Sequence, residues 1–429
     1  MLDIDWYSLR RNWKLISILF FALLSGLAVI AYTDLGAGNF GDAVDYLNAA
    51  HAIEQKLPYP REGSLPFFRP PGYPYVIATI WKLTGISGIP ILKLFNVFFH
   101  VGSTLLVSRI AKLGFNQRIS IICALLFSFN PLSLHQLSGI STQPLIATLF
   151  LWFVYMMMKL PNIKNNILVA LISVACVATR PEYIFVIIPV LVLSIFSQNP
   201  KKLHIRRVLT VLVILFLPLT VWGYENKKAT GNFILLTDAT YYHLWMGATD
   251  VVEKNYPMKV PASDTFTADQ FASLMNEIKA QKNSSVLPYS TSSIKERSDL
   301  WRNAFIERIQ TIGLGHYAQL LLFKGLVFWR PFLSPAAYSS KLVMVSFVIL
   351  LPISIGTIVG IIRFARRERT RMLVRIYCLS LSVLTLIHMA ELPDMRFRVP
   401  MFIPFALIMS GAVLIEVVEK NAVFRKSRY

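Results

Sequence analysis

Four arginines stand at the ends of apolar runs, where a charge needs a reason. Arg69 lies in FFRPPGYPYVIA (residues 67–78), Arg180 in the turn TRPEY, and Arg396 and Arg398 in HMAELPDMRFRVPMFIP (residues 388–404). A guanidinium is permanently charged, and its forked donors fit a phosphate or a carboxylate. Gathered at one mouth, these four would hold a phosphate-bearing ligand. Carboxylates accompany them. Asp42 follows Gly41 and opens the amphipathic stretch AVDYLNAAHAIEQK (residues 43–56), Asp45 comes three residues later, and Glu182 shares a turn with Arg180. A carboxylate beside a bound phosphate ester can take the proton of an attacking hydroxyl, which is general-base work. The catalytic candidates are therefore Asp42, Asp45 and Glu182. Tyr46, one helical turn beyond Asp42, is read as a lining residue, together with Tyr73, His388 and Glu391. The plainer alternative makes Asp42 a helix cap, Asp45 a solvated acid and the arginines headgroup anchors. Cys123, Cys176 and Cys378 all sit in apolar runs without paired spacing, so neither a zinc site nor a disulfide framework is expected.

The elements that must position these residues are membrane helices. Of 429 residues, 55% are hydrophobic and only 15% charged, against about 25% charged in an ordinary soluble domain. A spanning helix needs about 20 mostly apolar residues. Ten runs qualify or nearly so: 15–32, 89–111, 119–137, 143–160, 167–179, 183–196, 208–224, 342–362, 373–390 and 399–418. The first follows Arg10, Arg11 and Lys14 with no small-residue cleavage site, which reads as a retained signal anchor. Residues 72–84 are apolar but short, and 314–332 carry Lys324 in mid-segment; both read as helices lying in the interface. The fold class expected is an all-α polytopic membrane protein of about ten spans, residues 1–429 forming one membrane domain.

The formal charge of +20 would suggest nucleic acid in a soluble protein. Topology accounts for it instead. With a cytoplasmic N-terminus and ten alternating spans, the cytoplasmic segments carry net +17 and the outer ones +3, which is positive-inside bias. Residues 201–207 and the six arginines from Arg363 to Arg375 then face the cytoplasm, and Asp42, Asn283 and Asp394 face outward. No nucleic acid is expected.

Two outer segments are long, 33–88 and 225–341. The second holds aromatic and strand-like pieces at 232–247, a polar stretch at 281–293 expected to be a mobile loop, and a helical segment capped by Ser298. The hairpin 167–196 has arms of about 13 residues, so its turn places Arg180 and Glu182 at or below the outer interface, where ionisable groups are functional candidates.

The order of GDAVDYLNAAHAI (residues 41–53), RPPGYP, TRPE, NKKATGNFILLTDATYYHLWMGA (residues 226–248), WRPF and RFRVPMFIP resembles the GT-C glycosyltransferases of the dolichyl-phosphate-mannose protein mannosyltransferase type, family 39-like, including bacterial aminoarabinose transferase-like proteins. The resemblance implies a polyprenyl-phosphate sugar donor and a glycan, lipid or protein acceptor. It also implies transfer on the non-cytoplasmic side, a bacterial inner-membrane location, and no cofactor beyond the donor itself. It places the catalytic carboxylate of the first outer loop at Asp42. The sequence departs from the family by having no adjacent Asp-Glu pair there, and it ends soon after its last span without a soluble C-terminal domain. A transporter or flippase of lipid-linked sugars is the alternative. It would call for repeats and ionisable residues at mid-membrane, whereas here they gather at the rim.

Overall fold

In a computed structural model, residues 13–33, 42–56, 69–197, 200–248, 294–333, 339–391, 393 and 395–426 are described. Asn283, Asp394 and the loop 281–293 lie outside them. Among the described residues the chain is helical, with no strand. The helices are α1 (Trp13–Tyr32), α2 (Ala43–Glu54), α3 (Gly72–Thr84), α4 (Ile89–Gly114), α5 (Gln117–Ser128), α6 (Pro131–His135), α7 (Gln143–Met157) and α8 (Ile163–Thr179). A 3-10 turn (Pro181–Tyr183) leads into α9 (Ile184–Ser197), then α10 (Lys201–Thr230), α11 (Thr240–Gly247), α12 (Ile294–Ile312), α13 (Leu314–Trp329), α14 (Ser340–Phe364), α15 (Glu368–Ala390) and α16 (Met395–Lys426).

Each of the ten expected runs is largely helical, and among the described residues six helices (α1, α4, α10, α14, α15 and α16) are long and apolar enough to cross a membrane. The others are shorter for local reasons. The run 119–137 is split because Asn130 turns its side chain to cap Ser133 and Pro131 cannot continue the preceding helix. The hairpin 167–196 is broken at Arg180-Pro181, where the residue before proline is driven to extended backbone. Helix α10 runs past the expected boundary at Tyr224 to Thr230 and ends on Gly231 at φ +77°. This is an integral membrane protein, organised around α16. That helix is apolar on all sides between Met401 and Met409, and it packs against α5, α7 and α14.

Three local expectations are corrected. The strand-like piece 232–247 forms no strand: residues up to Ala239 are irregular, and α11 follows. Among the described residues no strand lies beside it, and a side chain meets its backbone where Asn226 donates to the Ile234 carbonyl at 2.7 Å. Ser298 does not cap a helix but lies inside α12, which starts a turn earlier. Asp42 occupies the N-cap position of α2 in αR backbone and makes no capping bond.

Candidate active site

The reason Asp42 does not cap is that two arginines take its carboxylate. Arg69 Nη2 donates to Asp42 Oδ1 at 2.6 Å, and Arg396 Nη2 stands 3.6 Å from Asp42 Oδ2. Arg69 Nε also donates to Asp45 Oδ2 at 3.1 Å, so one guanidinium joins the two acids on the first turn of α2. Arg180 Nε pairs with Glu182 Oε1 at 2.6 Å. These groups come from the start of α2, the turn before α3, the α8–α9 turn and the start of α16. Four separate segments converge on one end of the bundle.

Tight backbone packing sets that convergence. A Cβ on Gly72 would stand 2.5 to 2.6 Å from the backbone of Ala178 and Thr179, so only glycine lets the RPPGYP turn touch the end of α8. The turn that carries Arg69 is thereby set against the helix end that precedes Arg180. Phe397 supplies the next contact: the Arg180 and Arg396 guanidiniums lie 4.5 and 4.9 Å from its ring centroid. Cations over an aromatic face are attracted by its quadrupole, so this ring holds two arginines that would otherwise repel.

The remaining sequence candidates fall into two groups. Tyr46 and Tyr73 meet edge to face at 5.0 Å, with Arg69 over Tyr46, and both rings are buried. Burial pushes Tyr46 up to about 12, so its hydroxyl stays protonated. His388 is sandwiched between Phe397 and Phe328, with centroids at 4.6 and 5.3 Å. These three residues support the site from behind rather than face its opening. Arg398 is not brought to Asp42. Two residues beyond Arg396, it projects from another side of α16, packs among Phe328, Trp329 and Phe402, and donates to the Arg330 carbonyl at 2.5 Å. There it caps the C-terminus of α13, where a cation meets the negative end of the helix dipole. Glu391 follows the last residue of α15 and faces Glu182; burial and that neighbour push its carboxyl up to about 7.

Sequence reasoning missed His243. It lies on α11 within electrostatic reach of Asp42, Arg69, Arg180 and Arg396. Burial and the arginines drive its imidazole down to about 4, so it is neutral at pH 7 and can donate or accept. Its placement follows from a clamp on α11. Lys324, buried on α13, donates to the Gly247 and Ala390 carbonyls at 3.0 and 3.3 Å, and Arg308 Nε donates to the Ala248 carbonyl at 2.8 Å. Gly247 has no room for a Cβ, which would stand 2.4 Å from the Ala390 oxygen. Lys324 in mid-segment was the visible signal.

For Asp42 itself, burial alone would raise the carboxyl. Arg69, Arg396, His243 and Arg180 together outweigh that and hold it below its ordinary value. The arrangement is an ionised carboxylate held among permanent cations and a neutral imidazole, partly open at the end of a membrane bundle.

No family model matches the chain, and no curated protein does. Solved structures do. The chain is similar to the Archaeoglobus fulgidus oligosaccharyltransferase in its apo form, at 13% identity over 97% of this chain and 52% of that one, with a TM-score of 0.57. A second structure, of AglB from the same organism in complex with an inhibitory peptide and a dolichol-phosphate, matches at 13% identity over 97% and 52%, with a TM-score of 0.56. ArnT from Cupriavidus metallidurans bound to undecaprenyl phosphate is 12% identical over 88% of this chain and 78% of that one, with a TM-score of 0.42. The chain spans about half the length of the oligosaccharyltransferase. Its fold is GT-C-like.

Proposed function

We propose that this chain is a glycosyltransferase that moves a sugar from a polyprenyl-phosphate donor to an acceptor on the non-cytoplasmic face of the membrane. The observation that carries the reading is the placement of Asp42, partly open and bound to arginines from two separate segments at one end of a membrane bundle. The AglB structure of like fold holds a dolichol-phosphate, which supports a lipid phosphate as the shared chemistry.

The acceptor oxygen attacks the anomeric carbon while the bond from that carbon to the phosphate oxygen breaks. The polyprenyl phosphate leaves with the electron pair, and the acceptor proton goes to the Asp42 carboxylate. Attack from the face opposite the phosphate inverts the anomeric centre, as when a carboxylate activates water in inverting glycosidases. Arg69, Arg180 and Arg396 stabilise the charge that grows on the departing phosphate, the term that usually contributes most in such sites. His243, neutral and beside Asp42, orients the acceptor hydroxyl. Asp45 shares Arg69 and so tunes the charge it presents.

The orientation follows from charge. Asp42 lies at one end, and Arg363 and Arg367 pair with Glu416 at the other, where the basic segments gather. Positive-inside bias supports a cytoplasmic second end, and the resemblance supports a bacterial inner membrane.

The test is transfer by the purified chain in liposomes from a panel of undecaprenyl-phosphate monosaccharides, alongside mass spectrometry of glycolipids and glycoproteins in a deletion strain. The expected result is one sugar missing from the envelope and the same sugar transferred in vitro. An unchanged glycan profile and no transfer from any donor would overturn the reading.

A further inference from the structure

The arginines of the site are paired with carboxylates. Arg69 holds Asp42 and Asp45 through different nitrogens, Arg396 holds the second oxygen of Asp42, and Arg180 holds Glu182. Three cations thus face three carboxylates. A lipid phosphate would need the same guanidinium forks, because carboxylate and phosphate oxygens match that geometry equally. Both cannot hold Arg69 at full strength.

We propose that Asp42 is an internal competitor for the donor phosphate: it occupies the phosphate's arginines until the lipid arrives, and the phosphate releases it to act as base. The proposal rests on the glycosyltransferase reading and adds a sequence of events to it. The geometry favours exchange. The link from Arg396 to Asp42 is already long at 3.6 Å, and Asp42 is 30% exposed, so a phosphate can enter from that side. No capping bond fixes the Asp42 side chain elsewhere.

Exchange also solves a problem of basicity. A carboxylate depressed by arginines takes a proton poorly. The donor is a phosphodiester with one negative charge; when the bond to the sugar breaks, the leaving phosphate monoester gains a second. As it gains that charge it draws Arg69 and Arg396 away from Asp42, whose affinity for a proton rises as the acceptor hydroxyl must lose one. Base strength and leaving-group departure are thereby coupled through the same two guanidiniums, and donor binds before the acceptor is activated.

The experiment is the affinity of the full chain in nanodiscs for undecaprenyl phosphate. Asp42→Asn should bind it tighter than the unmodified chain, by about tenfold, while losing transfer. Asp45→Asn, which removes the carboxylate on Arg69 Nε, should gain less. Glu54→Gln removes the same charge from the far end of α2 and should change nothing. Unchanged or weaker binding in Asp42→Asn would overturn the proposal, and so would an equal gain in Glu54→Gln, which would mean bulk charge alone. If Asp42→Asn does not insert, Asp45→Asn carries the same test, with unchanged affinity the overturning result. No binding of undecaprenyl phosphate by the unmodified chain would remove the lipid-phosphate reading as well. Tighter binding in Asp42→Asn, with no sugar transfer by the unmodified chain, would keep the competition and remove only the glycosyltransferase.

Discussion

The two ends of the bundle use the same residue types to opposite effect. At the basic end, Arg118 pairs with Glu419 at 3.3 Å with 78% of the arginine side chain exposed, and Arg363 and Arg367 share Glu416. Those partners belong to helices that pack along their length, and water screens the Arg118 and Arg367 contacts most. At the other end, the Arg69, Arg180 and Arg396 side chains are 19%, 11% and 14% exposed, and they converge on one site through Asp42 and the Phe397 ring. Desolvating a guanidinium is costly and is offset only by close partners. The first arrangement is what topology demands of any membrane protein; the second gathers buried, paired charges at one place, which topology does not demand. Burial and convergence, not arginine content, separate a site from a surface.

The sharpest way to break this comparison is at Asp42. Asp42→Asn keeps the size and removes the charge, and it should lower transfer by a factor of about 100 or more while the chain inserts normally. Near-normal transfer would reduce the rim cluster to a structural ion pair. Next in size are the arginines. Removing a charged hydrogen bond costs about 1.5–3 kcal/mol, so Arg180→Ala should weaken undecaprenyl phosphate binding by roughly 10- to 150-fold. Arg398→Met should leave that affinity unchanged and lower thermal stability instead, because Arg398 ties α16 to the end of α13. Equal losses in both variants would return Arg398 to the phosphate site.

Much of the rim was legible because a charged residue at a span end is conspicuous whatever surrounds it. Asp42, Asp45, Arg69, Arg180, Glu182 and Arg396 were visible for that reason. Direction was not legible. Arg396 and Arg398 look equivalent in RFRVP, but two residues along a helix is a rotation of about 200°, so only one can face Asp42. The cap at Asp42 failed for a related reason: local preference for a cap is about 1 kcal/mol, and two arginines from elsewhere in the chain exceed it. His243 and Phe397 carry no signal of their own; the visible hint for His243 was Lys324, on another segment. An aromatic ring in an apolar run reads as core, and a lone histidine reads as nothing. Their roles come from Gly72, Gly247 and Lys324, whose close contacts only a folded chain reveals.

Between the strong effects and the weak ones lies Glu391. Its carboxyl titrates near 7 instead of its ordinary 4.5, so the folded chain keeps a proton that the unfolded chain releases. Stability should therefore fall as pH rises from 4.5 to about 7. Lys324, brought down to about 7, contributes the opposite slope above that pH. Thermal unfolding at pH 5 and pH 7 should show a smaller difference in Glu391→Gln than in the unmodified chain. An unchanged difference would mean that Glu391 is ionised throughout and that the rim is wetter than its packing implies.

The smallest effect belongs to the basic end and is the control for everything above. Arg367 reaches Glu416 through both terminal nitrogens, the better geometry for an ion pair, yet nearly half of its side chain is exposed. Exposed pairs are worth about 0–1 kcal/mol, and salt screens them further. Arg367→Ala should therefore shift stability by no more than that, an effect that shrinks as salt is raised, and leave undecaprenyl phosphate affinity unchanged. Arg363 remains on Glu416 at 2.9 Å, so the acid keeps a partner. If Arg367→Ala instead cost as much as Arg180→Ala, bidentate geometry would matter more than burial. The distinction between the two ends would then rest on convergence alone, and a further arginine in the basic loop, such as Arg369 on the Leu113 carbonyl at 2.9 Å, would have to be tested in the same way.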